Sequence, residues 1–315
     1  MYDVTALGEI LIDFTPCGKS TAGQSLFEQN PGGAPANVLT CLSKLGRKTA
    51  FIGKVGADMH GAFLKTVLEE NQIATEGVMT DADVFTTLAF VALSDGGERS
   101  FSFARKPGAD TCLTQGELRA DLIRNSKVFH IGSLSLTAEP VRSTTFKALE
   151  IAKESACIVS YDPNYRAPLW DSREAAVEGM RSVLPFVDVM KLSDEETELL
   201  TGDLNPKEAA ERLLEKGISL VTVTLGEKGA LVCTKEGCAI VEGYKADVID
   251  TTGAGDAFWG GFLHKLLESG KSPREVSLEE AKAFAKYGNA VASLCVEKRG
   301  AIPAMPAWEE IEERL

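Results

Sequence analysis

The chain alternates between two hydrophobic patterns. Short apolar runs of the kind that form buried strands occupy residues 5–12, 49–53, 128–131, 157–161, 187–192, 220–224 and 230–233. Longer segments with apolar residues at helical spacing cover residues 37–45, 59–70, 139–153 and 278–296. Repeated strand–helix units on one chain predict an α/β fold, with a mostly parallel central sheet and helices on both faces.

The region 84–104 interrupts this alternation. Its two runs, 85–93 and 99–104, are rich in β-forming residues and flank an Asp-Gly-Gly turn at 95–97. An Asp-Gly pair between two such runs is a hairpin signal. Because the hairpin breaks the order of strands and helices, we expect it to lie outside the main sheet.

We predict a single domain over residues 1–315, with a small β lid formed by about residues 14–31 and 84–106. No stretch of low-complexity composition that could serve as a linker divides the chain. Within the lid, Phe101 and Phe103 would face either the lid interior or a substrate.

Composition narrows the class of protein. The chain has 315 residues, of which 44% are hydrophobic and 25% charged, which is typical of a globular protein. It has no apolar run of roughly 18 residues and no basic start before an apolar segment, so we expect a cytoplasmic protein without a membrane partner. The formal net charge of -13 argues against a nucleic-acid partner.

The cysteines and histidines do not form a recognisable metal or catalytic pattern. Seven cysteines are scattered without a C-x-x-C pair, which predicts reduced thiols, mostly in the core. They are Cys17, Cys41, Cys112, Cys157, Cys233, Cys238 and Cys295. The three histidines, His60, His130 and His264, are far apart, so we expect structural roles for them.

The stretch 250–258 carries the sharpest chemical signal. A short β-like run, Val248 and Ile249, leads into the sequence DTTGAGDAF, and a helical pattern follows as far as a C-cap at Gly270. A glycine loop at a helix N-terminus is suited to bind an anion. Asp256 then serves either as a base that accepts a hydroxyl proton or as an ordinary acid of the first helical turn.

Two common phosphate loops are excluded for this stretch. A P-loop would end in Gly-Lys-Ser or Gly-Lys-Thr, whereas here Gly255 is followed by Asp256. A dinucleotide-binding fingerprint would need a third glycine where Phe258 stands, and it usually follows the first strand of its domain.

Other polar residues gather at predicted strand ends, the edge where α/β folds bind ligands. Asp13 is either a ligand-binding residue or a turn former, and Asn37 either caps a helix or holds a hydroxyl group. The segment DPNYR at 162–166 follows one strand. The acid-rich stretch SDEE at 193–196 follows another and opens a helix that ends at Gly202. Glycines at 226 and 229 would suit contact with a nucleotide.

These motifs together resemble the ribokinase-like (PfkB) family of sugar kinases. The family's motifs are matched, in chain order, by residues 32–37, Gly46, Gly56, 193–202, 224–229, 250–256 and 260–262. The resemblance covers essentially the whole chain and implies the three-layer ribokinase-like fold. One departure is Ser193, which stands where the family usually has Asn.

Within the family, the chain is most similar to bacterial fructokinases. The features are the lid segment 98–110 and the segment 162–170. The implied activity is transfer of the γ-phosphoryl group of ATP to the 6-hydroxyl of D-fructose. A 2-keto-3-deoxygluconate kinase, another sugar or nucleoside kinase, and a catalytically silent sugar-binding regulator are the alternatives.

The resemblance also implies roles for individual residues. Asp256 would be the general base, its pKa held down by the helix terminus, and the anion hole would comprise Gly253, Ala254, Gly255 and Asp256. The sugar would contact Asp13, Gly32, Gly33, Asn37, Phe101, Arg105 and Arg166, with the two arginines also candidates for the phosphates.

For the nucleotide and the ions, the family pattern implies a further set. ATP would contact Lys191, Ser193, Glu196, Thr224, Gly226, Gly229 and Asn289. Glu196 would bind Mg²⁺ through water, while a monovalent cation such as K⁺ would lie near Asp250, Thr252 and Gly300. Lids in this family often pair between subunits, so a homodimer is expected by analogy.

Overall fold

The structure, a computed structural model, describes residues 1–93 and 99–315, without the side chains of 92, 93 and 99–101. The predicted turn at 95–97 and the side chain of Phe101 therefore lie outside the described part. The strands are β1 Tyr2–Leu7, β2 Leu11–Lys19, β3 Ser25–Gly32, β4 Thr49–Gly56, β5 Ile73–Asp81, β6 Leu88–Leu93, β7 Arg99–Ala104, β8 Ser126–Ile131, β9 Ile158–Tyr161, β10 Val189–Ser193, β11 Leu220–Thr224, β12 Ala230–Thr234 and β13 Gly237–Val241.

The helices alternate with these strands. They are α1 Ala34–Lys44, α2 Met59–Glu70, α3 Ala120–Arg124, α4 Val141–Glu154, α5 Arg173–Ser182, α6 Asp194–Thr201, α7 Pro206–Glu215, α8 Ala254–Ser269, α9 Leu278–Cys295 and α10 Trp308–Arg314. The predicted C-cap glycines Gly202 and Gly270 both adopt left-handed conformations, with φ of 91° and 65°. Such a conformation disfavours a side chain, so these two glycines end their helices as the sequence predicted.

The central sheet has nine strands in the order β13-β12-β11-β10-β9-β8-β1-β4-β5. From β11 to β5 every neighbouring pair is parallel, while β12 and β13 add antiparallel pairs at one edge. The predicted mostly parallel sheet is confirmed. The carboxyl ends of its parallel strands meet at one edge, which is where the candidate site lies.

Helices cover both faces of this sheet. On one face Leu7 and Phe129 pack with the inner sides of α4, α5 and α7. On the other face Ala6 and Phe51 pack with α1, α2, α8 and α9. Since successive strand residues point to opposite faces, neighbours such as Ala6 and Leu7 enter different cores. The three-layer architecture is thus confirmed.

A second, four-stranded sheet comprises β2, β3, β6 and β7, in the order β3-β2-β6-β7. Its β6 and β7 are antiparallel, as expected for the hairpin, although β6 begins at Leu88 rather than at residue 85. Its strands overlap the segments predicted to form the lid, although β2 begins at Leu11, before residue 14, and β3 ends at Gly32.

The single strand predicted over residues 5–12 was wrong. The chain leaves the central sheet after β1, turns through Gly8–Ile10 and enters the second sheet as β2. Ile10 and Ile12 are still buried, so the apolar run continues across the turn. An apolar run cannot distinguish one buried strand from the ends of two. Asp13 consequently lies in the second sheet, not at the end of a central strand.

Two smaller predictions also failed. Val248 and Ile249 do not form a strand; they are 62% and 60% exposed, and Ile249 donates its backbone N–H to the carbonyl of Val296. Cys233 and Cys238 are not both free thiols: they face each other across the β12–β13 hairpin and form a disulfide. The two cysteines are five residues apart in sequence, and this spacing did not indicate that the hairpin places them opposite each other.

Within the described residues, no helix is long and apolar enough to cross a membrane.

Candidate active site

The start of α8 is a backbone cradle. Gly253 precedes the helix with φ of 79°, and a Cβ atom added there would lie 2.8 Å from the Cβ of Ala301. A Cβ atom added at Gly255 would lie 2.8 Å from Lys191 Nζ. The first amides of a helix lack intrahelical acceptors and lie at its positive end. The cradle can therefore bind an anion close to the Lys191 ammonium group.

Asp256 lies in the first turn of α8 and is 6% exposed. Its Oδ2 accepts a hydrogen bond of 2.8 Å from Asn37 Nδ2, and its Oδ1 accepts one of 3.1 Å from Asn164 Nδ2. An acid that only favoured the helix dipole would be expected at an exposed position. Two amide donors from separate segments fix the orientation of this carboxylate, as a base that accepts a proton requires.

The pKa of Asp256 is raised to about 6, so the predicted depression by the helix terminus was wrong. Burial raises this pKa most, and the charge of Asp162 raises it further. The hydrogen bond from Asn37 and the charges of Lys191 and Arg166 oppose the rise. Removal from water outweighs the helix dipole here because the carboxylate is almost fully enclosed.

Lys191 and Asp162 form a buried ion pair, with 3.0 Å between Nζ and Oδ2. Burial lowers the pKa of Lys191, but Asp162, Glu196 and Asp256 outweigh this effect, so its pKa is raised overall. Lys191 is therefore a fixed positive charge beside the cradle. We call Asn37, Asp162, Asn164, Lys191 and Asp256 the Asp256 cluster.

The predicted sugar side adjoins this cluster. A Cβ atom at Gly32 would lie 2.4 Å from Asp13 Oδ2, and one at Gly33, where φ is 120°, would lie 2.5 Å from the Glu9 carbonyl oxygen. Burial raises the pKa of Asp13 to about 6, although nearby Arg166 lowers it. Asn37 Oδ1 is buried and has no hydrogen-bond partner among the described residues. A hydroxyl group could satisfy that oxygen.

The two candidate arginines are placed differently. Arg105 is buried and directs its guanidinium inward, to Asp110, Thr137 Oγ1 and the carbonyl of Leu134. Each of its three nitrogens donates to a protein acceptor, and a direct contact with a sugar or phosphate stays a prediction. Arg166 is exposed, and its charge acts on both Asp13 and Asp256.

A cleft of about 1000 Å³ lies beside the cradle. The predicted nucleotide residues Thr224, Gly226, Gly229 and Asn289 line it, together with Ala254 and Gly255 of the cradle. Asn289 Nδ2 donates to the carbonyls of Val241 and Glu242 and so holds one wall. The cleft and the cradle form one continuous surface.

Ser193 and Glu196 have local partners. They form a capping box at the start of α6, in which Glu196 Oε2 accepts from the Ser193 amide at 2.8 Å. Glu196 Oε1 accepts from the Tyr165 amide at 2.7 Å. Ser193, which departs from the family pattern, therefore serves as a helix cap, and Glu196 also anchors the segment that carries Asn164.

Asp250, Thr252 and Gly300 lie together, as the family pattern implied. Asp250 Oδ1 accepts from the amide and hydroxyl of Thr252, at 2.9 and 2.7 Å, and Asp250 Oδ2 accepts from the Gly300 amide at 3.1 Å. Across the described ranges, no group of three or more His, Cys, Asp or Glu residues is arranged to hold a metal ion. A metal ion bound beside Asp250 would therefore need ligands in addition to carboxylates, such as hydroxyl or carbonyl oxygens.

Two residues of the Asp256 cluster were not among the predicted site residues: Asp162 and Asn164. The polar segment 162–166 at a strand end is the sequence signal available for both. Asn164 has φ of 47°, a left-handed conformation that Asn tolerates better than most residues. Nothing in the sequence indicated that its side chain reaches across to α8.

Comparison with known proteins agrees with the family resemblance that the motifs indicated. The model of the pfkB family carbohydrate kinases matches residues 1–308. "Probable fructokinase-5" of Arabidopsis thaliana is 45% identical over 316 residues, covering 99% of this chain and 97% of its own. The family resemblance inferred from the motifs is confirmed.

Solved structures of fructokinases are similar to this chain over nearly their whole length. A fructokinase from Xylella fastidiosa with bound ATP has a TM-score of 0.89 and 31% identity, covering 100% of this chain and 98% of its own. A double mutant of the fructokinase from Vibrio cholerae O395, bound to fructose, ADP and a potassium ion, has a TM-score of 0.90 and 33% identity, with coverage of 100% and 98%.

Proposed function

Because the chain belongs to the pfkB family of carbohydrate kinases, we propose that it transfers the γ-phosphoryl group of ATP to the 6-hydroxyl of D-fructose. The products are fructose 6-phosphate and ADP. Support for fructose comes from the fructokinases at 43–45% identity over nearly the whole chain. Support for phosphoryl transfer comes from the site itself.

The observation that carries this function is the fixed carboxylate of Asp256 beside the cradle of α8. Asn37 and Asn164 hold its two oxygens at 2.8 and 3.1 Å. In the proposed reaction, Asp256 accepts the proton of the 6-hydroxyl group as that oxygen bonds to the γ-phosphorus. The bond between the γ-phosphorus and the β–γ bridging oxygen breaks, and ADP leaves. The amides of Gly253 to Asp256 and the ammonium of Lys191 stabilise negative charge on the transferring group.

The sugar lies, in this proposal, between β2 and the start of α1. Asp13 and Asn37 Oδ1 accept from its hydroxyl groups, and Gly32 and Gly33 let it approach the backbone. The exposed Arg166 covers the mouth of the site. The role of Phe101, whose side chain is not described, stays a prediction.

ATP occupies the cleft lined by Thr224, Gly226, Gly229 and Asn289. Mg²⁺, when bound, neutralises phosphate charge. Glu196 fits a water-mediated role because both its oxygens already accept backbone amides but retain acceptor capacity. The oxygen-rich loop of Asp250, Thr252 and Gly300 would hold K⁺.

We also propose that residues 1–315 act as one domain whose second sheet closes over the sugar and excludes water. The exposed apolar residues Leu26, Phe27 and Phe90 on that sheet favour a homodimer through it. The mass of the protein in solution, measured by light scattering, tests whether it is a dimer. A cytoplasmic location fits an enzyme that uses ATP.

The alternative substrate, 2-keto-3-deoxygluconate, carries a carboxylate that would favour extra cationic contacts. Arg105 is buried and already donates to Asp110, Thr137 and Leu134, so Arg166 is the more accessible of the two arginines. This placement favours the neutral sugar. A catalytically silent sugar-binding regulator is less well supported, because the complete Asp256 cluster would have no purpose in it.

The test is coupled ADP release with ATP, Mg²⁺ and K⁺ over a panel of fructose, glucose, ribose, 2-keto-3-deoxygluconate, adenosine and fructose 6-phosphate. We expect kcat/KM for fructose to exceed the others by about tenfold or more, equivalent to about 1.4 kcal/mol. Preference for the keto acid would overturn the substrate but not the mechanism. Inactivity on every sugar, with ATP still bound, would favour the regulator.

A further inference from the structure

The connection between the two sheets contains a buried carboxylate that the mechanism does not use. The chain leaves β1 at Leu7 and enters β2 at Leu11, and Glu9 lies in the middle of this crossing. Glu9 is only 3% exposed. A buried carboxylate is costly unless it is paired, so its contacts indicate a purpose.

Glu9 contacts the start of α1 in two places. Its Oε1 accepts a hydrogen bond of 2.9 Å from the amide of Ala34, the first residue of the helix. The preceding N-cap residue is Gly33, which has no side chain to cap that end, so Glu9 supplies the acceptor instead. The Glu9 carbonyl oxygen also lies against Gly33, where an added Cβ atom would be 2.5 Å away.

This end of α1 carries much of the proposed sugar contact. Gly32 and Gly33 lie immediately before the helix, and Asn37, in its first turn, also holds Asp256. Asp13 lies four residues after Glu9 on β2, with its Oδ2 close to Gly32. One side chain therefore ties the crossing between the sheets to the loop that faces the sugar.

We propose that Glu9 is a positioning residue, which fixes the Gly32–Gly33 loop relative to Asp13 and so sets the affinity for the sugar. The inference rests on the proposed function for the identity of the sugar. It does not make Glu9 a catalytic residue, because Glu9 acts through the Ala34 amide.

The surroundings of Glu9 suggest a conservative variant. Burial raises the pKa of Glu9 to about 7, Asp110 also raises it, and Arg105 and the Ala34 amide lower it. Glu9 Oε2 is buried and has no hydrogen-bond partner within the described part of the chain. Glu9→Gln keeps an acceptor for Ala34 and the shape of the side chain, whereas Glu9→Ala removes the acceptor.

The kinetic experiment compares Glu9→Ala and Glu9→Gln with Asn205→Ala. Asn205 caps α7 through bonds to the amides of Lys207 and Glu208, neither of which belongs to the Asp256 cluster or to the sugar loop, so this control loses only a helix cap. We expect Glu9→Ala to raise KM for fructose about tenfold, with kcat and KM for ATP within about threefold of wild type. Glu9→Gln should stay within about twofold of wild type, as should Asn205→Ala.

A second measurement does not depend on turnover. Hydrogen exchange of a peptide covering residues 32–42 should be faster in Glu9→Ala than in wild type, while a peptide from α8 keeps its rate. If the wild type fails to phosphorylate fructose, the proposed function fails, yet this exchange result still tests the link between Glu9 and α1.

An unchanged KM for fructose in Glu9→Ala, or unchanged exchange at residues 32–42, would overturn the proposal. A loss in Glu9→Gln equal to that in Glu9→Ala would do the same, because the retained acceptor should preserve the bond. If Glu9→Ala does not fold, Glu9→Asp replaces it: its shorter side chain cannot reach Ala34, so wild-type kinetics there would be the contradicting outcome.

Discussion

The Asp256 cluster and the nucleotide cleft share the start of α8, but they are constructed differently. The cluster consists of enclosed polar side chains: Asp162, Lys191 and Asp256 are 1%, 5% and 6% exposed. The cleft is an open volume of about 1000 Å³, and its lining combines four glycines, at 226, 229, 243 and 255, with polar, charged and apolar side chains. The cluster encloses its charged groups, whereas the cleft leaves an open volume for a ligand.

The difference follows from what each region must do. A group that moves a proton needs a defined orientation, which the two amide donors supply, and a pKa near the working pH, which burial supplies. A region that holds a large ligand needs close approach of the backbone, which side chains would obstruct. Substitutions in the cluster should therefore change kcat and pH dependence, whereas substitutions in the cleft should change KM for ATP.

The largest expected effect comes from Asp256→Asn. The amide keeps the size of the side chain but cannot accept a proton, so kcat should fall by about 10²–10⁴-fold. The binding of ATP, measured by calorimetry, should stay close to wild type, because the cleft is intact.

Asp194→Asn is the matched control. Asp194 is an exposed acid in the first turn of α6, and it should tolerate the change with little loss of activity. A fully active Asp256→Asn variant would show that Asp256 only favours its helix, and the distinction between the two regions would disappear.

The second effect concerns pH. Asp256 and Asp13 both have pKa values raised to about 6, in each case chiefly by burial. A protonated Asp256 cannot accept a proton, so kcat/KM for fructose should fall as the pH drops through about 6, by about tenfold per unit below it. Initial rates from pH 5 to 8 measure this.

An activity profile that is flat across this range would contradict the role of a buried base. A variant of the nucleotide cleft, such as Asn289→Ala, should change KM for ATP but keep the wild-type dependence on pH. That result would show that the pH dependence belongs to the Asp256 cluster alone.

The smallest expected effect lies in the cleft. Gly229 has φ of 93°, and a Cβ atom there would lie 2.1 Å from the carbonyl oxygen of Val241. Gly229→Ala should displace that wall and raise KM for ATP by roughly five- to tenfold, while kcat changes little.

Gly237→Ala provides the control for backbone strain alone. Gly237 also has a positive φ, of 134°, but an added Cβ atom there would meet open space. If both variants raise KM for ATP equally, strain in the hairpin rather than crowding of the cleft is the cause.

Much of the fold could be read from the sequence, because buried strands and amphipathic helices leave local patterns. The glycine caps at 202 and 270 and the cradle before α8 were predictable for the same reason. The strands β5 and β13 and the helices α3, α5, α7 and α10 were not predicted, and the run of residues 5–12 was assigned to one strand. A hydrophobic run records burial but not which sheet receives it.

The site was predictable where chemistry is local and unpredictable where it depends on contacts distant in sequence. The sequence alone determined the glycine cradle, the carboxylate within it and the family to which they belong, because these lie in short motifs. Only the tertiary structure decided that Asn37 and Asn164 hold Asp256, that Arg105 turns inward and that burial raises the pKa of Asp256. Each of these depends on packing between residues tens to hundreds of positions apart, and no local pattern records how closely such segments enclose a charge.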